Sequence, residues 1–273
     1  MSDETLRLVV REDVPAAMRL KDAAGWNQTE RDWEVFLELQ PDGCWGIFSS
    51  GQLAATSAFY CYGRELAWIG MVLTAPEARR RGYARRLMQH CLEELERRGV
   101  SCVKLDATDM GRPLYRALGF EDEQPVARWE GVAQPATARE ASAFAYDPAL
   151  DRAAFGACRS RLLHALARFE AAAKPGVGYV MGRPGTKAAY LGPCVSRSPA
   201  GARELLEWYL ARHAGERVFW DLLPRNQSAL ALARAFGFTP VRQLTRMVLG
   251  GGHARGPERD DSLVYALAGF EYG

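Results

Sequence analysis

The chain has 273 residues, 48% of them apolar and 25% charged, enough material for two globular domains with cores of their own. Its net charge of +2 gives no global attraction to nucleic acid or a membrane surface, so any basic function must be local. The six cysteines form no C-x-x-C pair and the four histidines are scattered, which argues against a zinc site and for reduced thiols in a cytosol.

The opening "MSDETLRLVVREDV" is charged and lacks the apolar block of a secretory signal. No apolar run approaches the roughly 18 residues of a membrane span. A cytoplasmic location away from membranes is the expectation. "TLRLVV" reads as a first strand. A helix follows in "EDVPAAMRLKDAAG", with Asp13 as N-cap and Pro15 in its first turn. "TERDWEVFLELQ" reads as a second helix, with Thr29 as cap and Asp32 at the capping-box position. "CWGIFSS", "QLAATSAFYCYG" and "ELAWIGMVLT" read as successive strands separated by turn residues. "ARRLMQHCLEELERRG" is an amphipathic helix with Leu87, Cys91 and Leu95 on one face and Gly99 as its stop. "CVKLDAT" reads as a short buried strand, "GRPLYRALGF" as a short helix and "VARWEG" as a strand. The order is β-α-α-β-β-β-α-β-α-β.

A Pro/Ala/Thr-containing stretch near 131–143 reads as a linker. The second half is expected to open with one helical run over 148–173. It repeats features of the first. "YRALGF" ending at Phe120 matches "ARAFGF" ending at Phe238, and "ARRLMQHCLEEL" matches "ARELLEWYLARH". Gly70 in "WIGMVLT" matches Gly192 in "YLGPCVS". The segment "APEARRRGYARRLM" has only "RSPAG" in the second copy, and Tyr115 faces Ala233.

That segment places Arg79, Arg80, Arg81 and Arg85 around Gly82 at a helix start. Positive charge there opposes the helix dipole. A strand running into a glycine turn and then a helix aims several backbone N–H groups at one point, and this suits a pyrophosphate. The alternative is an ordinary solvated helix start. The spacing is neither the Walker pattern nor G-x-G-x-x-G. Lacking interleaved aromatics, the cluster does not read as a nucleic-acid patch.

Arg79-x-x-Gly82-x-Ala84 resembles the acetyl-CoA motif of the GNAT superfamily of N-acetyltransferases, and "PLYRALGF" resembles its later tyrosine motif. "AGWNQT", "WIGMVL", "VKLDAT" and "VYALAG" are similar to features of a bacterial tandem subgroup of the YitH type. The resemblance implies an α/β (α+β) fold of two tandem GNAT-like domains, each a mixed, mostly antiparallel sheet flanked by helices. Residues 1–131 would form the catalytic domain and 140–273 a degenerate one without the cofactor loop. By position, Met71, Val72 and Leu73 would hold the pantetheine arm. Arg79, Arg80, Arg81, Gly82, Tyr83, Ala84 and Arg85 would wrap the pyrophosphate. Thr108 stands where the family often has asparagine, and Tyr115 takes the place of the general acid.

The expected reaction is acetyl transfer from acetyl-CoA to a primary amine, small or amino-acid-like, by direct attack in a ternary complex, with no metal. The strand that ends at the loop carries no carboxylate. The base is therefore Asp106, or Asp32 or Glu30 after the "GWN" loop, or a water relay. Trp26, Asn27 and Asp32 are expected to border the acceptor. The tail "SLVYALAGFEYG" alternates like a strand, and inserted between the halves it would bring Glu271 to the active site. The expected partner is a small-molecule amine, with the chain a monomer or homodimer. A non-enzymatic acyl-CoA sensor is the alternative.

Overall fold

The computed structural model describes residues 4–135, 144–250 and 256–273. The first half runs β1 (Glu4–Leu8), α1 (Val14–Ala23), α2 (Glu30–Leu39), β2 (Cys44–Ser49), β3 (Gln52–Tyr62), β4 (Leu66–Thr74), α3 (Tyr83–Arg97), β5 (Val103–Ala107), α4 (Arg112–Arg116) and β6 (Phe120–Val132). This is the predicted order. The second half runs α5 (Pro148–Phe155), α6 (Ser160–Ala167), β7 (Glu170–Lys174), β8 (Gly178–Arg183), β9 (Ala189–Ser196), α7 (Pro199–Arg212), β10 (Arg217–Leu222), α8 (Gln227–Ala235), β11 (Thr239–Leu249) and β12 (Val264–Ala266).

Local chemistry accounts for most boundaries. The Asp32 carboxylate accepts from the Thr29 backbone N–H at 2.7 Å, closing the capping box of α2. Leu87, Cys91 and Leu95 are buried on the inner face of α3. The single helical run expected over 148–173 is not observed. Gly156, at φ 96°, ends α5, and "EAAAK" forms β7, paired with β8 from Glu170↔Gly182 to Lys174↔Gly178. Sheet pairing there outweighs the helix preference of alanine. β6 continues through Val132, and residues 136–143 of the expected linker lie outside the described residues.

All twelve strands join one sheet in the order β1-β2-β3-β4-β5-β11-β6-β10-β9-β8-β7, with β12 against β9. The two halves exchange their last long strands. β11 lies between β5 and β6, while β6 lies between β11 and β10. Two neighbouring pairs, β4–β5 and β9–β10, are parallel and the others antiparallel. These parallel pairs hold the repeat-related glycines Gly70 and Gly192.

Both parallel pairs are short. β4 and β5 pair only at Ala67↔Val103 and Trp68↔Lys104, then diverge. β9 and β10 pair from Ala189↔Val218 to Leu191↔Trp220. In the second half β12 occupies the opening. It pairs with β9, the Trp220 indole donates to the Tyr265 carbonyl at 2.7 Å, and Leu267 N–H donates to the Asp221 carbonyl at 2.9 Å. Asn226 fastens it further, its amide nitrogen reaching the Val264 carbonyl at 2.9 Å. In the first half the corresponding opening is a cleft.

Candidate active site

Beyond Trp68 and Lys104, the diverging strands bound a cavity of about 80 Å³. Ile69–Val72 of β4 line one wall and Leu105, Asp106 and Thr108 the other. The β3–β4 register shifts between Thr56↔Leu73 and Ala58↔Gly70, a bulge that gives β4 one extra residue. Met71 has φ 53° there, and the Thr56 hydroxyl donates to its carbonyl at 2.8 Å. A left-handed methionine costs of the order of 1–3 kcal/mol, a strain that clusters at functional positions. Leu73 is buried and pairs with Thr56.

From β4 the chain makes a 3₁₀ turn at Pro76–Ala78, extends at Arg79 and takes φ 63° at Arg80 and 80° at Gly82 before α3. The first-turn amides of α3 have no intrahelical partners. Among the described residues, Arg79, Arg80, Arg81 and Arg85 are exposed and make no ion pair. Arg86 is taken up by Glu4 at 2.6 Å, and the buried Tyr83 hydroxyl donates to the same carboxylate at 2.6 Å. Tyr83 therefore has only its backbone to offer a ligand, and Ala84 keeps the first turn small. A Cβ on Gly82 would meet nothing within 4 Å, so its backbone conformation alone demands glycine. Gly82→Val is expected to weaken coenzyme A binding about tenfold, matching the roughly 1–2 kcal/mol of left-handed strain. Calorimetric titration checks this, and an unchanged affinity would separate the loop from the ligand.

Tyr115, on α4, lines the cavity from its far side. The ring packs edge-on to Phe120 with centroids 6.2 Å apart. Its hydroxyl has no hydrogen-bond partner among the described residues, and burial pushes its pKa above the ordinary phenol value. It is therefore a protonated phenol at neutral pH, with its hydrogen-bonding capacity unspent. The Thr108 hydroxyl accepts from Gly111 N–H at 3.2 Å and so braces the loop into α4.

Three expected roles need correction. Asp106 is a cleft residue through its backbone. Its side chain is 0% exposed and forms a bidentate pair with Arg246 at 2.9 and 3.0 Å. Burial alone would lower the Arg246 pKa, and Asp106 more than reverses that; both carboxylate oxygens are committed. Asp32 spends one oxygen on the α2 cap and the other on the Arg183 Nε at 2.9 Å. Asn27 spends its amide on the second half, accepting from Lys187 N–H at 2.9 Å and donating to the Ala188 carbonyl at 3.0 Å, while it and Asp32 line a smaller recess that shares Gln28 and Arg128 with the cleft. Trp26 does line the cavity. Glu30, at the start of α2, is exposed and absent from the cavity lining.

A further carboxylate of the cleft comes from the tail. After β12 the chain forms turns, and Phe270 and Glu271 line the cavity. The Trp68 indole donates to the Phe270 carbonyl at 2.9 Å and the Tyr62 hydroxyl to the Tyr272 carbonyl at 2.6 Å. A Cβ on Gly70 would lie 2.9 Å from the Glu271 Cα, so glycine on β4 admits the tail. Arg183 Nη2 donates to Glu271 Oε1 at 2.7 Å, and Gln28 Nε2 to Oε2 at 3.2 Å. Burial pushes the Glu271 carboxyl above its ordinary value, Arg183 partly offsets this, and Asp32 adds to the rise.

A diverging parallel pair, a bulge in β4 against β3, a cation-rich turn and a neutral phenol define an acyltransferase class of fold and cleft. Residues 11–120 match the Acetyltransferase (GNAT) family and residues 148–266 the Acetyltransferase (GNAT) domain. Over 174 residues the chain is 31% identical to YitH of Bacillus subtilis strain 168, an uncharacterized N-acetyltransferase, and the match spans 60% of each chain. A crystal structure from Pyrococcus horikoshii, provisionally named an acetyltransferase, superposes with TM-score 0.87 at 25% identity, covering 99% of this chain and 96% of that one. A tandem GNAT protein from the clavulanic acid biosynthesis pathway shares the fold, with TM-score 0.62 at 17% identity over 91% of this chain and 99% of its own. The chain belongs to the GNAT acetyltransferase family, and it carries two GNAT domains in tandem. Among the described residues, no helix is long and apolar enough to cross a membrane.

Proposed function

We propose that the protein is an acetyl-CoA-dependent N-acetyltransferase that acetylates a primary amine of a small or amino-acid-like molecule by direct attack in a ternary complex. The observation that carries this reading is the convergence of Tyr115 and Glu271 on one cleft beside the Arg79–Arg85 turn. The turn fits a pyrophosphate, with left-handed backbone at Arg80 and Gly82 and four exposed arginines without carboxylate partners among the described residues. The open edge of β4 fits an amide-bearing arm. Acetyl-CoA, when bound there, supplies an acetyl group activated as a thioester.

The chain's own groups then divide the proton work. Glu271 Oε2, held only by Gln28, takes a proton from the acceptor ammonium so that a neutral amine attacks. The new C–N bond forms as the C–S bond breaks, and the nitrogen sheds its second proton to the phenolate that Tyr115 leaves on protonating the sulfur, giving a neutral amide. Tyr115, kept protonated by burial, gives its hydroxyl proton to the departing sulfur; ordinary thiol and phenol pKa values lie close together, and the negative charge developing on sulfur draws the proton across. The β4 edge near Met71 supplies a backbone donor where oxyanion charge develops. The filled β9–β10 opening and the absence of an arginine turn support a second half that binds no acetyl-CoA.

Release of free thiol from acetyl-CoA against a panel of amines tests the reading. Tyr115→Phe is expected to lower kcat about a hundredfold while leaving coenzyme A affinity intact. Tight coenzyme A binding with no thiol release for any amine would instead mark a sensor.

A further inference from the structure

Acceptor recognition rests on two groups that the proton transfers above leave unused. One is an orphaned acceptor. Gln28 Oε1 is buried without a hydrogen-bond partner among the described residues, while its amide nitrogen holds Glu271. Both residues line the cleft. A buried carbonyl without a donor is uncommon in a folded protein. Beside a carboxylate, it needs a positively charged or strongly donating guest.

The other is an unmatched cation. Across β10, β6 and β11, the register aligns Asp221 with Arg128 and Arg128 with Arg242. Residues directly opposite in antiparallel strands share one face, and like charges so placed repel. Asp221 offsets this only in part. Its oxygens accept from Arg128 at 2.8 and 2.7 Å and from the Tyr190 hydroxyl at 2.5 Å. Arg128 is also covered by the Phe270 and Phe219 rings, 4.7 and 4.9 Å from its guanidinium carbon. Arg242 lines the same cleft, is exposed, and has no carboxylate or hydrogen-bond partner among the described residues. Partial burial and the Arg128 charge lower its pKa, with Asp221 opposing. Its five-donor fork suits a planar carboxylate.

We infer that the acceptor is an amine that also carries a carboxylate: Gln28 Oε1 and Glu271 receive its ammonium, and Arg242 pairs with its carboxylate. This rests on the acetyl-transfer reading and names the acceptor class within it. The cavity of about 80 Å³ suits a small zwitterion. Arg242 is then a specificity residue, and the charge it leaves unbalanced in the row is balanced by substrate.

The test compares matched acceptors in the thiol-release assay: glycine, β-alanine, 4-aminobutyrate and lysine against methylamine, ethylamine, propylamine and cadaverine. At least one carboxylate-bearing member is expected to exceed its counterpart about tenfold or more in kcat/KM. Arg242→Gln is expected to remove that advantage through KM, with kcat and the KM for acetyl-CoA little changed, and Arg242→Lys to restore part of it. Equal turnover within every pair, or an equal loss on both members in Arg242→Gln, overturns the inference while leaving acetyl transfer standing. No thiol release with any amine, despite coenzyme A binding, overturns the acetyl-transfer reading and this inference together.

Discussion

Glu271→Gln is expected to lower kcat by at least about a hundredfold, the scale of a lost general base, with coenzyme A affinity unchanged. The substitution keeps the side chain's shape and one oxygen to accept from Arg183. It turns the atom facing Gln28 into a donor that meets the Gln28 carbonyl once that amide rotates, and it removes the proton acceptor. The pH profile carries the sign of the argument. Burial raises the Glu271 pKa above its ordinary value of 4.5, against the pull of Arg183. The carboxylate is the active form, so kcat/KM of the parent enzyme should rise with pH through that raised pKa. The acidic limb should vanish in Glu271→Gln. Folding stability moves the other way. A raised folded-state pKa contributes stability that is complete below the unfolded value and lost as pH rises through the folded one. At pH 8 the neutral glutamine removes a carboxylate whose ionisation the fold disfavours, so the thermal midpoint there is expected to hold or rise, which separates lost chemistry from lost fold. Wild-type turnover in Glu271→Gln, with the acidic limb intact, would move the base elsewhere.

Asp106→Ala is expected to destabilise the protein by about 3–5 kcal/mol, the cost of leaving one partner of a buried pair without the other. Arg246 is 1% exposed and the Asp106 side chain 0% exposed. An arginine cannot shed its charge to relieve the loss. The pair joins β5 to β11, so it fastens the exchanged strand of the second half into the sheet of the first. Denaturant unfolding checks the magnitude. The double variant Asp106→Leu with Arg246→Met should recover much of it, because an apolar replacement removes both buried charges. A folded, fully stable Asp106→Ala that has lost turnover would return Asp106 to the role of base.

The cleft was unevenly legible in the sequence. The arginine turn could be read because Gly82, the exposed arginines and the start of α3 are neighbours along the chain, and positive φ has a residue preference. Tyr115 followed from a similarly local pattern. The structural pairing of Asp106 was hidden because nothing near it in sequence announces Arg246, which lies 140 residues away. The partners of Asn27 and Asp32 were hidden for the same reason: Ala188 and Arg183 belong to the other half. The Met71 bulge left no signal, since a methionine in a strand ordinarily has negative φ.

By itself the sequence determined the local units: helices with their caps, strands with their alternation, the arginine turn and the repeat that relates the halves. Each depends on periodicity or turn chemistry within a few residues. Tertiary structure alone decided the exchange of β6 and β11, the plugging of the β9–β10 opening by β12, and the Arg128–Arg242 row. It also decided the meeting of Glu271 with Gln28, 243 positions apart. Such pairings follow from strand register and burial across the whole sheet, and a contact between distant segments imposes no period on either one.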